Sequence, residues 1–171
     1  MGTVWRVIVL PGPSFRGARD EGSGYFDLVF AGICCGVGFV GQSVALEALA
    51  STGWSAGVHS VGASVALGRT ICLLIPFVFW WLIIEPSIEY WILRLLGAKP
   101  KGWQTQLRAS ALATAPLVLG IIPFGLVLGL VWSFGVKAWA YRVFHSASWA
   151  AAALAVLVTP ALVALAVYAA W

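Results

Sequence analysis

Two glutamates, Glu85 and Glu89, stand four residues apart in a long apolar stretch of the sequence. Side chains four residues apart lie on the same face of a helix, and a carboxylate within a membrane is costly enough to suggest a function. The pair could therefore bind a proton or a cation. Alternatively, both carboxylates lie near the cytoplasmic membrane surface and pair with Arg94 or Arg108, since about 20 residues from Thr70 bring the chain to Glu89.

Other reactive side chains lack the partners that a catalytic or metal site requires. His59 and His145 have no second ligand at metal-binding spacing, and the sequence holds no Walker loop, dinucleotide fingerprint or G-x-S-x-G elbow. Ser43 lies in an apolar run without the following Gly expected of an intramembrane serine protease. Three cysteines are expected to be buried as small apolar side chains: Cys34, Cys35 and Cys72. We therefore predict no enzyme, no cofactor and no catalytic or metal-binding residue.

The composition points to a membrane protein. Of the 171 residues, 61% are hydrophobic and 9% are charged, whereas an ordinary soluble domain carries about 25% charged residues. Ten basic and six acidic side chains could not cover the surface of a soluble monomer of this length. The hydrophobicity also excludes a disordered chain. The net charge of +4 is scattered among apolar blocks, so a nucleic-acid partner is not expected.

The apolar segments predict an all-α integral membrane bundle of five transmembrane helices. The predicted spans are residues 26–46, 70–96, 107–122, 124–141 and 147–168. Residues 1–25 would form a short cytoplasmic N-terminal segment, and residues 26–171 a single five-helix membrane domain. In a four-span alternative, residues 107–139 form one kinked helix; at about 1.5 Å per residue it would measure roughly 50 Å, too long for a bilayer of about 30 Å.

The distribution of positive charge favours five spans. In that arrangement one side of the membrane receives Arg6, Arg16, Arg19, Arg94, Lys99, Lys101, Arg108, Lys137 and Arg142. The other side receives Arg69. Because cytoplasmic loops carry an excess of Lys and Arg, we predict a cytoplasmic N-terminus and a C-terminus outside.

Small residues and prolines are expected to shape the bundle. Membrane helices approach closely where small residues lie at the interface, and two pairs have the required spacing: Gly32 with Gly36, and Gly125 with Gly129. These pairs could form a homodimer face or pack helices within one chain. Three prolines are expected to bend or end helices: Pro116, Pro123 and Pro160.

Several short motifs occur in a distinctive order across residues 92–160. They are Ile92-Leu93-Arg94-Leu95-Leu96-Gly97, Leu107-Arg108-Ala109, Ala113-Thr114-Ala115-Pro116, Gly120-Ile121-Ile122-Pro123, Leu130-Val131-Trp132, His145 with Ser148, and Pro160. Their order and spacing resemble the Yip (Ypt/Rab-interacting protein) domain family, in its prokaryotic branch. The resemblance implies a five-helix membrane domain with a cytoplasmic N-terminus. It also implies structural roles for Arg94, Gly97, Pro116, Pro123 and Pro160.

The resemblance has a clear limit. The Asp-Leu-Tyr-Gly-Pro type motif of the eukaryotic Yip branch is absent, so binding of Rab-type GTPases is not carried over. We expect a non-enzymatic protein of the bacterial cytoplasmic (inner) membrane that binds partner proteins or organises the bilayer, as an accessory subunit of a larger membrane complex or as a homo-oligomer. The alternative is a small transporter or channel that uses Glu85 and Glu89.

Overall fold

The computed structural model describes residues 24–52, 63–99 and 101–170, and all regular elements in these ranges are helices. The elements are α1 (Gly24–Ser51), α2 (Ala63–Phe79), a π-helical turn (Trp80–Ile84), α3 (Glu85–Leu95), α4 (Trp103–Leu112), a 3₁₀ helix (Ala115–Ile121), α5 (Gly125–His145) and α6 (Trp149–Ala170). The predicted all-α class is confirmed. Residues 1–23 of the predicted N-terminal segment lie outside the described residues, as does the loop that carries His59.

Two helical stretches are long and apolar enough to cross a membrane. They are Phe26–Ser51, with 26 residues, and Leu67–Leu95, with 29 residues. At about 1.5 Å per residue each exceeds a hydrocarbon core of about 30 Å. They contain most of the predicted spans 26–46 and 70–96. A shorter apolar stretch, Trp149–Leu162, lies in α6.

The fold is apolar outside and partly polar inside. Large apolar side chains such as Ile75 and Leu95 are 69% and 84% exposed. Small residues fill much of the core, where helices α4, α5 and α6 meet. Several polar or charged side chains are buried there: Glu85, Glu89, Gln106, Lys137 and His145. Such a distribution is unusual for a soluble protein, in which large apolar side chains fill the core and charged side chains are seldom fully buried unless they are paired.

The segment predicted as a third span, residues 107–122, is not one α-helix. α4 ends at Leu112, and a separate 3₁₀ helix follows from Ala115 to Ile121. Pro116 explains the break, because proline donates no backbone hydrogen bond and its ring clashes with the carbonyl four residues earlier, here that of Leu112. The same proline is well accommodated in the first turn of the new helix, where an N–H would have no partner.

The 3₁₀ helix packs closely between α1 and α5 because glycines face it on both sides. A Cβ built on Gly38 of α1 would lie 2.2 Å from the carbonyl oxygen of Leu117. A Cβ on Gly129 of α5 would lie 2.5 Å from the carbonyl oxygen of Pro116. Neither position can hold a side chain without moving the backbone, so these glycines set the distance between the three helices.

The glycines singled out in the sequence occupy different surroundings. A Cβ on Gly125 would lie 1.9 Å from the carbonyl oxygen of Leu119, so this residue also lies at a close approach within the chain. At Gly32 and Gly36 an added Cβ would meet no neighbouring atom of the described chain within 4 Å. The intramolecular contacts of α1 are made instead at Gly38 and at Gly41, which lies against Ile121.

Two helix ends are capped by hydrogen bonds, one set local and one from a side chain of another helix. Gly97 follows α3 with a φ of 79°, and its N–H donates to Arg94 while that of Ala98 donates to Leu93, the pattern of a Schellman cap. Past Pro123, the N–H of Leu126 in the first turn of α5 donates to Gln42 Oε1 at 3.0 Å. The buried Gln42 thereby ties α1 to the start of α5.

Candidate functional site

Glu85 and Glu89 of α3 converge on Lys137 of α5. Lys137 Nζ lies 3.0 Å from Glu85 Oε1 and 2.9 Å from Glu89 Oε2, and the three side chains are at most 2% exposed. The alternative partners considered from the sequence are wrong: Arg108 Nε lies 2.7 Å from Asp27 Oδ2, and Arg94 lies over the Trp91 ring. The two glutamates thus share one face, as predicted, and this face is turned into the protein.

The π-helical turn ahead of α3 sets the direction of Glu85. Pro86 has no backbone N–H to donate to the carbonyl of Leu82, and in a regular α-helix its ring would clash with that carbonyl. The N–H of Glu85 donates to the carbonyl of Trp80, five residues back, which is the π-helical pattern. This wider turn changes the helical register, and both Trp81 and Glu85 are buried.

Tyr141 extends the cluster to α4. It lies one turn after Lys137 and donates a hydrogen bond to Glu89 Oε2. Gln106 Nε2 donates to Tyr141 Oη at 2.7 Å, and Ser110 Oγ lies 3.2 Å from the same oxygen. Because the single Tyr141 proton is directed to Glu89, Ser110 is the donor in its contact. Helices α3, α4 and α5 are therefore joined by one buried polar network.

The network has more acceptor capacity than positive charge. With all groups ionised, two carboxylates face one ammonium, which leaves a net charge of one negative unit. Glu89 Oε1 and Gln106 Oε1 have no hydrogen-bond partner within the described ranges. A net charge in a low-dielectric interior is unfavourable. The arrangement can therefore accept one proton or one monovalent cation.

Aromatic rings cover the ammonium. Lys137 Nζ lies 4.7 Å from the centroid of the Trp81 ring, within the range of a cation–π contact. Trp81 packs in turn against Phe77 and Phe134, with ring centroids 5.6 and 5.7 Å apart. These rings shield the ion pairs from the surroundings, which strengthens the electrostatic interactions among them.

A cavity of about 290 Å³ borders the cluster on the side of Glu85. Its remaining walls are apolar, and Glu85 is the charged side chain among the described residues that line it. Pro160 and Ala164 of α6 line one side. The aromatic walls come from α2, the π-helical turn and α5: Phe77, Trp80, Trp81 and Phe134. The site is thus a mainly aromatic cavity with one buried carboxylate.

His145 lies at the end of α5, beyond the predicted span 124–141. Its Nδ1 accepts a hydrogen bond from the backbone N–H of Lys101 at 3.2 Å, so the other nitrogen, Nε2, carries the proton of the neutral ring. Burial, with a smaller effect of the Lys101 charge, lowers the pKa of His145 to about 4. The ring lies 5.8 Å from that of Tyr141, so the buried His145 adjoins the polar network.

Lys137 and Tyr141 were missed as site residues from the sequence. Lys137 was placed with the cytoplasmic charges, although its spacing from Tyr141 matches that of Glu85 from Glu89. A lysine within a predicted span, opposite two intramembrane carboxylates, was the available signal. The cysteine expectation needs a correction: Cys34 and Cys35 are buried, but Cys72 is exposed on α2.

The Yip-type motifs fall on features that shape the fold. Gly97 ends α3, Pro116 opens the 3₁₀ helix and Pro123 lies between that helix and α5. Pro160 lies within α6 and borders the cavity. The described residues hold no cluster of three or more metal-ligating side chains. The family assignment stays a prediction, since no protein-family model, no curated protein and no solved structure matches the sequence.

Proposed function

We propose that this chain is a five-span integral membrane protein with a cytoplasmic N-terminus and its C-terminus outside. The observation that carries the proposal is the inverted distribution of side chains, with Leu95 and Ile75 exposed while Glu89 and Lys137 are fully buried. Two helices of spanning length and apolarity support it. The motif order supports membership of the prokaryotic Yip branch and a location in the bacterial cytoplasmic membrane.

In this proposal the protein is not an enzyme. It binds partner proteins or organises the bilayer, as an accessory subunit of a larger membrane complex or as a homo-oligomer. The pair Gly32 and Gly36 supports a contact outside the chain, because these glycines of a membrane helix have no close neighbour among the described residues. Small residues of this kind let a second helix approach.

Cysteine labelling tests the topology. After Cys34, Cys35 and Cys72 are replaced by Ala, single cysteines are introduced at Lys99 and Ser146, and each variant is treated in intact cells with a membrane-impermeant maleimide. Five spans place both positions in the cytoplasm, so neither is labelled until the membrane is opened. A four-span chain places them on opposite sides, and labelling of one position alone in intact cells would refute the proposal.

Co-purification tests the partner. The chain is expressed at its native level, cross-linked in the membrane and purified in a mild detergent, and bound proteins are identified by mass spectrometry. We expect one stoichiometric partner or a defined homo-oligomer, weakened by Gly36→Leu. Gly135→Leu, another open glycine, is the control. A monomer without a partner would contradict the proposal.

The second candidate function, a small transporter or channel, is favoured by the ion cluster beside the cavity. Intramembrane carboxylates and lysines commonly mark ion or proton pathways. Flux of protons or monovalent cations is measured in proteoliposomes that contain wild type, Glu85→Gln or Glu89→Gln. Glu47→Gln in α1 is the matched control. Absence of flux, or equal flux in all four proteins, removes the transport candidate.

A further inference from the structure

We propose that the cavity beside Glu85 binds a hydrophobic organic cation, such as a small aryl or alkyl ammonium. The inference rests on the proposed membrane location and names the ligand class for the site that the transport candidate would use. The observation behind it is that an aromatic cavity of about 290 Å³ adjoins a buried cluster in which two glutamates share one lysine.

The charge of the cluster calls for a cation. Lys137 is shared by Glu85 and Glu89, and none of the three side chains is more than 2% exposed. One ammonium cannot neutralise two ionised carboxylates, and charges on side chains with so little exposed surface are poorly screened by water. Of the two carboxylates, Glu85 borders the cavity, so a cation bound there would complete the neutralisation at short range.

The walls of the cavity favour an organic cation over a metal ion. Hard cations such as Ca²⁺ need six to eight oxygen ligands and Mg²⁺ about six, whereas Glu85 alone supplies carboxylate oxygens among the described lining residues. Aromatic faces attract organic ammonium groups. The Lys137 ammonium over the Trp81 ring at 4.7 Å shows that this indole already accepts a cation.

The size and apolarity of the cavity limit the ligand further. Small-molecule sites commonly measure about 300–1,000 Å³, so about 290 Å³ suits a compact ligand with one ring or a short alkyl chain. Pro160 and Ala164 of α6 form part of the wall, and Ala164 presents exposed surface. In a membrane, that surface faces lipid, which gives an apolar cation a route into the cavity.

Equilibrium binding of benzyltrimethylammonium to the purified full-length chain in nanodiscs tests the inference. Its neutral isostere neopentylbenzene, in which carbon replaces nitrogen, is the competitor. We expect saturable binding of one cation per chain that the isostere does not displace. Glu85→Gln should weaken binding by at least about tenfold, since it removes a contact between the ligand and a charged group. Glu47→Gln should leave it unchanged.

Two further variants separate the effect of the cluster's charge from that of the cavity's volume. Glu89→Gln should also weaken binding, although Glu89 does not line the cavity among the described residues, because Lys137 and Glu85 then form a neutral pair. Ala164→Leu keeps every charge and fills the cavity, so it should abolish binding without lowering the unfolding temperature. Ala161→Leu, an exposed position of α6 that does not line the cavity, is its control.

Three outcomes would overturn the inference. Displacement by neopentylbenzene would show that the cavity binds apolar molecules without regard to charge. Equal binding by wild type and Glu85→Gln would show that the carboxylate does not contact the ligand. The absence of saturable binding would show that no organic cation binds, which leaves a proton to neutralise the cluster. If the labelling pattern shows five spans and binding fails, the inference alone falls. If binding is saturable but proteoliposomes show no flux, the transport candidate falls instead.

Discussion

Lys137 Nζ lies 2.9 Å from Glu89 Oε2, and neither side chain has exposed surface. The contact joins α5 to α3 across 47 intervening residues of the chain, and Tyr141 holds the same carboxylate from one turn further along α5. Two segments that are distant in sequence are therefore connected by charge as well as by packing. The consequences of removing one partner are correspondingly large.

Lys137→Met should destabilise the protein strongly. It leaves two buried carboxylates without their cation, and breaking a buried ion pair in this way costs about 3–5 kcal/mol. We expect this loss in the free energy of unfolding, measured by denaturant titration in detergent with helical circular dichroism as the signal. Arg69→Met, at an exposed position of α2, should change it by less than about 1 kcal/mol.

A triple variant separates the effect of charge from that of the lost side chain. Glu85→Gln, Lys137→Met and Glu89→Gln together leave no ionised group in the cluster and should recover most of the lost stability, because apolar or neutral replacement of buried ion pairs is often nearly neutral. A triple variant as unstable as Lys137→Met would show that packing, and not uncompensated charge, causes the loss.

Glycine substitutions should have opposite effects at two positions of α1. Gly38→Ala should destabilise by about 1–3 kcal/mol or more, as overpacking does, because its Cβ would lie 2.2 Å from the Leu117 carbonyl oxygen. Gly32→Ala should stabilise by about 0.5–1 kcal/mol, since alanine favours the helix and the site is open. The unfolding temperatures of the two variants, measured in one detergent, test this prediction. Equal changes in unfolding temperature would contradict the close contact of α1 with the 3₁₀ helix.

The loop between α5 and α6 offers a second pair of opposite substitutions. Ser146 has a φ of 53°, a left-handed conformation that costs a non-glycine residue roughly 1–2 kcal/mol, so Ser146→Gly should stabilise the protein. Ser148 Oγ accepts from the N–H of Ala151 at 3.1 Å and caps α6. Ser148→Ala should therefore cost about 1 kcal/mol. Destabilisation by Ser146→Gly, measured by the same thermal unfolding, would refute the assigned backbone conformation.

The sequence predicts the elements of this fold better than it predicts their contacts. Hydropathy and length place α1 and the α2–α3 stretch close to their observed positions, because a spanning helix must be continuous and apolar. Pro116 was recognised as a helix breaker, yet the 3₁₀ helix after it was not predicted. Seven residues of 3₁₀ helix are stable here through contacts with Gly38 and Gly129, and such tertiary contacts leave no local pattern.

The sequence predicts the two glutamates of the candidate site but not the lysine that they share. Spacing alone puts Glu85 and Glu89 on one face of a helix, but it does not show which way that face points. Lys137 reaches them because both α3 and α5 pack beside α4, and because the π-helical turn ahead of Glu85 adjusts the register. Counting the basic residues on each side of the membrane assigns Lys137 to the membrane surface, because such a count assumes that basic side chains avoid the interior of the bundle.

The stability of the protein should fall as the solution is acidified from pH 6.5 towards pH 4 because of His145. Burial lowers its pKa in the folded state from 6.5 to about 4. Above pH 6.5 the ring is neutral in both states; between pH 6.5 and 4 the unfolded chain gains a proton that the folded chain does not, and unfolding is favoured. At about 1.4 kcal/mol per pKa unit, the loss amounts to roughly 3 kcal/mol and levels off below pH 4. The test is to measure the free energy of unfolding of wild type and His145→Gln across this pH range; the glutamine keeps an acceptor for the Lys101 N–H. The variant should lose the part of the pH dependence that His145 causes. An equal pH dependence in the two proteins would show that His145 is protonated as readily in the folded chain as in the unfolded one.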